Sequence, residues 1–267
     1  MKVFISADIE GITTTTSFRE CEYGHPDYPM HARQMTDEVL AAVEGARAAG
    51  ADCFVVKDAH GTAMNIDPTR MPSGVKLLRN WGAHPYMMVE GVDESFDAAM
   101  FVGYHAAAGR PGNPMAHTLS SKHIHSITVN GEVASEFTLF GYACALEGVP
   151  SVFLSGDKTL CKDSADLHPK LVTCPVKESV GEMTINYSPE DTLKKIRELS
   201  EKALRQDLRD ALPKLPKSFE VVVTFKKHYQ AERAAWFPGV VIMSDHVVRY
   251  SSDSFFEILR TTSWILS

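Results

Sequence analysis

Carboxylates and histidines that can hold metal ions follow the ends of three short apolar runs in this sequence. Asp8 and Glu10 come after the run VFISA, His60 follows CFVVKDA, His105 follows AAMFVGY, and Glu136 opens the helix-like segment SEFTLFGYACALEG. In an open α/β sheet, residues just beyond the carboxyl ends of parallel strands share one crevice, so segments ~50 residues apart converge there. Two imidazoles and three carboxylates are enough for two metal ions. This mixed set favours zinc, or a similar divalent transition ion, over calcium or magnesium, which prefer oxygen-only shells.

Asp8 and Glu10 are two residues apart, so both side chains project to the same side of an extended chain. Two carboxylates on one face repel each other unless a positive charge lies between them. The plain alternative is a pair of acids at a strand end that water solvates. Gly11 favours a shared site, because glycine lets the chain turn tightly away and leave both acids at the crevice.

The segment DAHG at residues 58–61 repeats this pattern at the end of the next strand-like run. A single histidine usually has a packing or surface role, but here an apolar run, an acid, a histidine and a glycine occur together. We therefore expect His60 to bind metal and Asp58 to accept a hydrogen bond that fixes the tautomer of His60. His105 follows a third apolar run in FVGYHAAAG, where small residues leave room for a ligand.

Another histidine near these motifs is a candidate for proton transfer, since metal ions can set the pKa of a nearby imidazole. His117, in PMAHT, lies in the glycine-rich loop after His105, and we predict that it is the catalytic residue. His123 and His125 flank a predicted hairpin. Structural or surface roles are expected for His84, His168, His228 and His246.

Alternating strand and helix patterns position these residues. Buried strands are predicted at 3–7, 53–56, 75–78, 99–102 and 152–154, and helices at 30–50 and 135–147. Residues 11–29 and 104–122 are predicted loops, and an Asn-Gly pair marks a hairpin at 127–133. Strands that alternate with helices predict an α/β fold, a three-layer sandwich with a mostly parallel sheet.

The pattern changes after Tyr187. Residues 188–212 open with Ser188 and Pro189 and continue as an amphipathic helix of about six turns. Strands are predicted at 219–225, 240–243 and 246–250, and a closing helix begins at residue 253. We therefore predict a metal-binding catalytic α/β domain at residues 1–187 and a smaller α+β domain at residues 188–267 that serves in oligomerisation.

Composition limits the protein to a globular class. The chain has 267 residues, 44% of them hydrophobic, and 27 basic against 34 acidic residues give a net charge of −7 without a Lys/Arg cluster. Nucleic acid is therefore not an expected partner. The first apolar run is too short for a signal peptide or a membrane span. Five cysteines without a C-x-x-C pair argue against a disulfide scaffold, so a cytoplasmic location is predicted.

The motifs DIEG, DAHG, GYHA and MAHT, with a Ser-Glu pair after a hairpin, occur in this order along the chain. This arrangement resembles the zinc D-aminopeptidases associated with dipeptide-transport operons, over roughly residues 1–190. The resemblance implies two zinc ions per subunit, bridged by Asp8. It further implies Glu10 and His105 as ligands of one ion, and His60 and Glu136 as ligands of the other.

The same resemblance assigns His117 the catalytic position and implies a ring-shaped homo-oligomer, a decamer in that family. It also implies hydrolysis of the N-terminal residue of short peptides that contain D-amino acids, of the D-alanine type. Two features depart from the family pattern: Lys57 precedes DAHG where an uncharged amide is expected, and a run of threonines follows Gly11. Both bear on substrate selectivity more than on metal binding.

A dinuclear zinc aminopeptidase is the predicted function, because two metal ions together polarise a scissile carbonyl and acidify the attacking water. One alternative is a magnesium-dependent haloacid-dehalogenase-like phosphohydrolase, whose acidic motifs D-x-E-G and the SGD at residues 155–157 faintly match. That chemistry gives no role to His60 or His105. The second alternative is a non-catalytic peptide- or metal-binding module. Both alternatives predict no peptide turnover, and manganese or cobalt stays open as the native metal.

Overall fold

The computed structural model describes residues 1–168 and 170–266, which form two β-sheets and six α-helices. In chain order the strands are β1 (Lys2–Ala7), β2 (Cys53–Asp58), β3 (Val75–Leu78), β4 (Ala98–Tyr104), β5 (Ile124–Val129), β6 (Glu132–Val133), β7 (Ser151–Asp157), β8 (Val172–Val180), β9 (Met183–Asn186), β10 (Phe219–Phe225), β11 (Val241–Ser244) and β12 (Val247–Ser252). The helices are α1 (Tyr28–Ala48), α2 (Glu136–Leu146), α3 (Lys158–Leu167), α4 (Pro189–Arg205), α5 (His228–Ala234) and α6 (Phe255–Leu266).

The first sheet has seven strands in the order β3-β2-β1-β4-β7-β8-β9. Neighbouring strands are parallel except for the antiparallel pair β8 and β9 at one edge. The central strand β4 is buried along its whole length. Burial on both faces explains its unbroken apolar run, since a strand with one solvated face would alternate. The predicted α/β fold with a mostly parallel sheet is confirmed.

Helices cover one face of the first sheet, and a mixed layer covers the other. On the first face α1 and α4 pack together, and their apolar residues share a core with those of β1. Gly45 permits this contact, because a Cβ there would lie 2.2 Å from the main-chain oxygen of Arg197. On the other face α2, α6 and the second sheet share a core with β1 and β4. These three layers hold the carboxyl ends of the parallel strands in fixed positions.

The second sheet takes its strands from two distant parts of the chain. Its order is β11-β12-β10-β5-β6 with antiparallel neighbours, so the hairpin of β5 and β6 joins strands that follow residue 187. Helix α4 also follows residue 187, yet it packs against α1 and β8. The predicted domain boundary after residue 187 therefore does not coincide with the division between the sheets. The reason is that β5 and β10 make a long-range pairing, which no local pattern in the sequence shows.

The predicted strands and helices of residues 1–157 are present, with ends within three residues of the predicted ones. The helix predicted from residue 188 ends at Arg205, and Asp207 begins a separate 3-10 turn at Leu208–Ala211. Sequence analysis missed β8, β9, α3 and α5. Pro175 and the adjacent charges of Lys177 and Glu178 hid β8, because they are unusual in a strand that is not at a sheet edge. No helix in the described part of the chain is long and apolar enough to cross a membrane.

Candidate metal centre

The ends of three adjacent strands form the base of the site. Strand β1 lies between β2 and β4, so Asp8, His60 and His105, which follow these three strands, meet at one edge of the sheet. Glu10 lies in the turn after β1, and Glu136 is the first residue of α2. The Ser135 side chain accepts a hydrogen bond from the main chain at the start of α2 and so fixes where the helix begins. All five predicted ligands lie in this one region.

Gly11 brings the turn after β1 against the end of β4. Its amide donates a hydrogen bond of 2.8 Å to the main-chain oxygen of Gly103. A Cβ on Gly11 would lie 1.7 Å from the main-chain oxygen of Tyr104, so a larger residue cannot replace it without moving the turn. The predicted role of Gly11 in turning the chain at the site agrees with this close approach.

Asp8, Glu10 and His60 form one group of potential metal ligands. His60 Nδ1 lies 2.9 Å from Glu10 Oε2 and 3.3 Å from Asp8 Oδ1. The other ring nitrogen, Nε2, lies 2.9 Å from the main-chain oxygen of Cys21. Since a carbonyl oxygen only accepts hydrogen bonds, Nε2 is the donor to Cys21, and Nδ1 is the nitrogen that faces the two carboxylates.

His105, His117 and Glu136 form a second group. His105 Nε2 lies 3.2 Å from Glu136 Oε2, and His117 Nε2 lies 3.7 Å from Glu136 Oε1. The Nδ1 atoms of the two histidines donate to the main-chain oxygens of Ala106, at 3.0 Å, and Met115, at 2.8 Å. Backbone carbonyls therefore set the orientation of all three histidines of the site, and each presents its free nitrogen to carboxylates.

The carboxylate of Asp8 faces a histidine of each group. Its Oδ1 lies 3.3 Å from His60 Nδ1, and its Oδ2 lies 3.5 Å from His105 Nε2. A bridging role for Asp8 is compatible with this position. The resemblance grouped Glu10 with His105, and His60 with Glu136, whereas the distances place His60 beside Glu10 and His105 beside Glu136.

The polar atoms of the site fit a bound metal. Asp8 Oδ2, Glu10 Oε2 and His105 Nε2 are buried and have no hydrogen-bond partner among the described residues. Where a neutral imidazole presents its free nitrogen to a carboxylate, two lone pairs face each other, which is unfavourable unless a cation lies between them. A divalent ion would satisfy these atoms, and the mixture of imidazole nitrogen and carboxylate oxygen suits zinc.

The same crowding of charges shifts the pKa values of the site. Burial, together with the charge of Glu10, raises the pKa of Asp8 to about 8. Burial alone would lower the pKa of both His60 and His105, but the neighbouring carboxylates outweigh it. The pKa of His60 lies well above its ordinary value, and that of His105 rises to about 10. Without a metal ion, protons therefore balance the carboxylates.

Solvent reaches the site past two of the histidines. The side chain of His60 is 15% exposed and that of His117 is 13% exposed, whereas His105 is fully buried. The half-exposed ring of Phe18 lies beside His117, with 5.7 Å between ring centroids. The solvent-facing edge of the site therefore carries His60, His117 and Phe18.

Asp58 and Lys57 support the site through the main chain. Asp58 was expected to orient His60 directly, but its carboxylate accepts hydrogen bonds from Asn65 and from the Ile66 amide. Asn65 then donates to the main-chain oxygen of His60 at 2.7 Å. The buried ammonium of Lys57 donates to the main-chain oxygens of Asp58 and Asn80 and lies 4.2 Å from the ring centre of Trp81.

Several supporting groups of the site were missed by sequence analysis. The carbonyls of Cys21 and Met115 that orient His60 and His117 belong to loops, and main-chain groups leave no signal in residue types. Lys177 is a buried lysine of β8 that contacts the turn after β1, but no pattern in the sequence distinguishes it from a lysine on the surface. Among the described residues, the other histidines lie outside the two ligand groups.

Comparisons with known proteins find similar proteins of one kind. The family model of peptidase M55, described as D-aminopeptidase, matches residues 1–264. A D-aminopeptidase of Bacillus subtilis is 28% identical over 246 residues, which cover 91% of this chain and 88% of that protein. Among solved structures, the zinc-dependent D-aminopeptidase DppA from Bacillus subtilis, a self-compartmentalizing protease, is similar with a TM-score of 0.92. It is 25% identical, and the match covers 100% of this chain and 97% of that chain.

Proposed function

This chain belongs to the D-aminopeptidase family, and from that premise we propose that it removes the N-terminal residue of short peptides that contain D-amino acids, D-alanine in particular. The chain is a metallo-aminopeptidase, since the family match spans almost its whole length and the similar solved structure is zinc-dependent. The observation that carries the proposal is the carboxylate of Asp8, which belongs to one ligand group and also lies 3.5 Å from His105 of the other.

Two zinc ions per subunit are part of this proposal. Asp8, Glu10 and His60 would hold one ion, and Asp8, His105 and Glu136 would hold the other. The distances between these side chains and their unpartnered buried atoms support this grouping. Two divalent ions in such a site supply Lewis acidity toward a scissile carbonyl and acidify water near neutral pH.

His117 is the proposed catalytic residue. Its Nδ1 donates to the Met115 carbonyl, so Nε2 is the nitrogen that can take up and release a proton. Glu136 Oε1, 3.7 Å away, stabilises the ring when it is protonated. Because His117 lies on the exposed side of the site, its Nε2 can pass this proton to the amide nitrogen that leaves as an amine.

A free α-amine can direct cleavage to the N-terminus. The two zinc ions would offset the negative charge of Asp8, Glu10 and Glu136, and the neutral form of the amine would be a ligand for one of them. A peptide would therefore enter with its amine first, which places its first peptide bond near His117. An internal segment of a protein has no such amine to offer.

The two alternatives do not fit the family. A haloacid-dehalogenase-like phosphohydrolase gives no role to His60 or His105, and Asp157 of the SGD sequence, which would be its later acidic residue, instead caps α3 by accepting from the Leu160 amide and also accepts from the Ala106 amide. A non-catalytic module is not expected in a family of peptidases.

The second part of the proposal is assembly into a ring of ten subunits, which the resemblance to the D-aminopeptidase family implies. The similar solved structure is a self-compartmentalizing protease, and in this proposal copies of the present chain likewise enclose their active sites. Exposed apolar side chains of β11 and the 83% exposed Trp236 give this chain surface that a second copy can cover. A cytoplasmic location stays a prediction from the sequence.

A matched substrate assay tests the function. D-alanyl and L-alanyl p-nitroanilides are given to the purified protein before and after treatment with a chelator, and zinc, manganese or cobalt is then added back. We expect hydrolysis of the D-substrate that stops on chelation and returns best with zinc. Preference for the L-substrate would contradict the stereochemical part, and activity that survives removal of all metal would contradict the metal centre.

A further inference from the structure

We infer that Lys177 and Asn113 are positioning residues that place the carboxylate of Glu10 in the metal centre by holding its main-chain oxygen from two sides. Both side chains are buried, with 1% of Lys177 and 5% of Asn113 exposed. They belong to distant parts of the chain, β8 and the loop after β4. The inference rests on the metal binding of the proposed function and adds to it the means by which one ligand is located.

Lys177, which lies in β8, holds the turn after β1 through its ammonium group. Its ammonium donates to the main-chain oxygen of Glu10, to the main-chain oxygen of Thr15 at 2.7 Å and to Thr15 Oγ1 at 2.8 Å. An ammonium group has three protons, so every donor of Lys177 is used on this turn. Thr15 Oγ1 lies 3.0 Å from the main-chain oxygen of Ile9 and can donate to it. The buried ammonium of Lys177 therefore holds residues 9–15 together through Glu10 and Thr15.

Asn113 holds the same oxygen and connects it to the second ligand group. Its Nδ2 donates to the main-chain oxygen of Glu10 at 3.0 Å and lies 3.4 Å from Asp157 Oδ2. Its Oδ1 accepts from the Met115 amide at 2.9 Å. The Met115 carbonyl in turn accepts from His117 Nδ1. One amide side chain thus links Glu10 to the turn that orients His117.

The placement of Glu10 depends on these contacts because its side chain has little other support. Without a metal ion, the support for its carboxylate among the described residues comes from His60, whose Nδ1 lies 2.9 Å from Glu10 Oε2. A shift of the Glu10 main chain would move its carboxylate away from His60 and Asp8. Partners that orient metal ligands from outside typically change metal affinity by about 10-fold to 100-fold when they are removed.

The test is a set of double-mutant cycles on zinc affinity, measured by competition with a chromophoric chelator. Asn113→Ala and Lys177→Met are each made in the native sequence and in the Glu10→Gln variant. In the native sequence we expect each substitution to lower the affinity for one of the two zinc ions by about 10-fold to 100-fold. In the Glu10→Gln variant we expect almost no further loss, because residues that act through Glu10 are not additive with its removal.

Two control variants and one fold measurement accompany the cycles. Lys158→Met removes an exposed lysine that pairs with Glu178 of β8, and Asn186→Ala removes an exposed asparagine of β9. Both should leave zinc affinity unchanged. Circular dichroism and thermal unfolding report whether each variant folds. If Lys177→Met does not fold, the Asn113→Ala cycle alone tests the inference. Asn113 lies in a loop, so its replacement by alanine removes no residue of a sheet strand.

Three outcomes count against the inference. Equal losses of zinc affinity in both backgrounds would show that the two residues act on the fold in general and not through Glu10. Unchanged affinity in Asn113→Ala would overturn it as well. A native protein that binds no zinc would overturn both this inference and the proposed function, whereas zinc binding without peptide turnover would contradict the proposed function alone.

Discussion

The imidazole rings of His105 and His117 stack, with centroids 4.3 Å apart and an angle of 15° between the ring planes. Both donate from Nδ1 to a main-chain oxygen and both turn Nε2 toward Glu136. They differ in access, because His105 is fully buried and the side chain of His117 is 13% exposed. Two rings in nearly the same orientation are therefore expected to have different roles, a ligand inside and a proton carrier at the opening.

The first prediction separates these roles. His117→Ala should lower kcat by ~100-fold or more, since proton transfer is lost, while the zinc content of the purified protein stays the same. His105→Ala should lose zinc as well as activity. Steady-state kinetics and elemental analysis measure the two effects, and His125→Ala, a change at an exposed histidine, serves as the control. Loss of zinc in His117→Ala, with activity regained on zinc addition, would make His117 a ligand.

The second prediction concerns Asp8. Asp8→Ala should lose more zinc than the alanine variant of Glu10, His60, His105 or Glu136, because its two oxygens face a histidine of each ligand group and a bridging carboxylate serves both ions. Elemental analysis of the dialysed variants gives the number of ions per chain. Full zinc content in Asp8→Ala would remove this residue from the metal centre.

The third prediction is a release of protons when zinc binds. The pKa of His105 is raised to about 10 and that of Asp8 to about 8, so both groups are mostly protonated near neutral pH in the metal-free protein. Zinc needs their free electron pairs, and its affinity should therefore increase as the pH rises toward these values. Calorimetry in buffers of different ionisation enthalpy counts the protons released. Zinc binding that releases none would mean that these groups are not ligands.

The fourth prediction tests a buried acid away from the ligands. Glu38 accepts hydrogen bonds from the Thr13 amide and from Gln34 Nε2, and burial raises its pKa to about 7. The folded protein binds this proton more tightly than the unfolded chain. The protonated carboxyl group therefore makes its whole contribution to the free energy of unfolding below the unfolded pKa of about 4.5, and this contribution is lost as the pH rises through about 7. Glu38→Gln should therefore be more stable than the native protein above about pH 7, by up to ~3 kcal/mol.

Urea unfolding of the metal-free proteins across this pH range measures the effect on Glu38. Gln34→Ala, which removes one of its hydrogen-bond donors, is a useful comparison because it keeps the titrating carboxyl group. If the difference in unfolding free energy between Glu38→Gln and the native protein does not change with pH, the Glu38 carboxyl group does not titrate between its unfolded pKa of about 4.5 and its folded pKa of about 7.

The fifth prediction concerns assembly. The solution mass should be several times the 29.5 kDa of one chain, because exposed apolar residues such as Trp236 need a covering surface. An enclosed chamber should admit di- to tetrapeptides and exclude folded proteins, so casein should not be cleaved. Light scattering and peptide digests measure both. A fully active monomer at micromolar concentration would contradict the assembly and leave the metal centre untouched.

Much of the first sheet could be predicted from the sequence, because its central strands are buried on both faces and appear as apolar runs that end in acids, histidines and glycines. Asp8, His60 and His105 could be brought together by one rule, that strand ends in a parallel sheet meet. The pairing of β5 with β10 could not be predicted, since the two strands are about ninety residues apart and each pattern alone fits many partners.

Details of the site depended on contacts that residue types do not reveal. His60 turns Nδ1 toward Glu10 because its Nε2 donates to the Cys21 carbonyl. Every residue has a main-chain carbonyl, so the sequence does not show which one binds the ring. Lys177 was missed because its burial depends on the turn that it contacts. Asn113 was missed because its hydrogen bonds join residues about 100 positions apart.

The contact between Lys177 and Glu10 has a consequence for the order of folding. The two residues are separated by 167 positions, and every proposed metal ligand precedes Lys177 in the chain. During synthesis from the N-terminus, all of the ligands are therefore made before the lysine that closes the turn at Glu10. The turn that holds Glu10 therefore gains its contact with Lys177 only when β8 has joined the sheet beside β7. Newly made chains thus pass through a stage in which the hydrolytic site is unfinished.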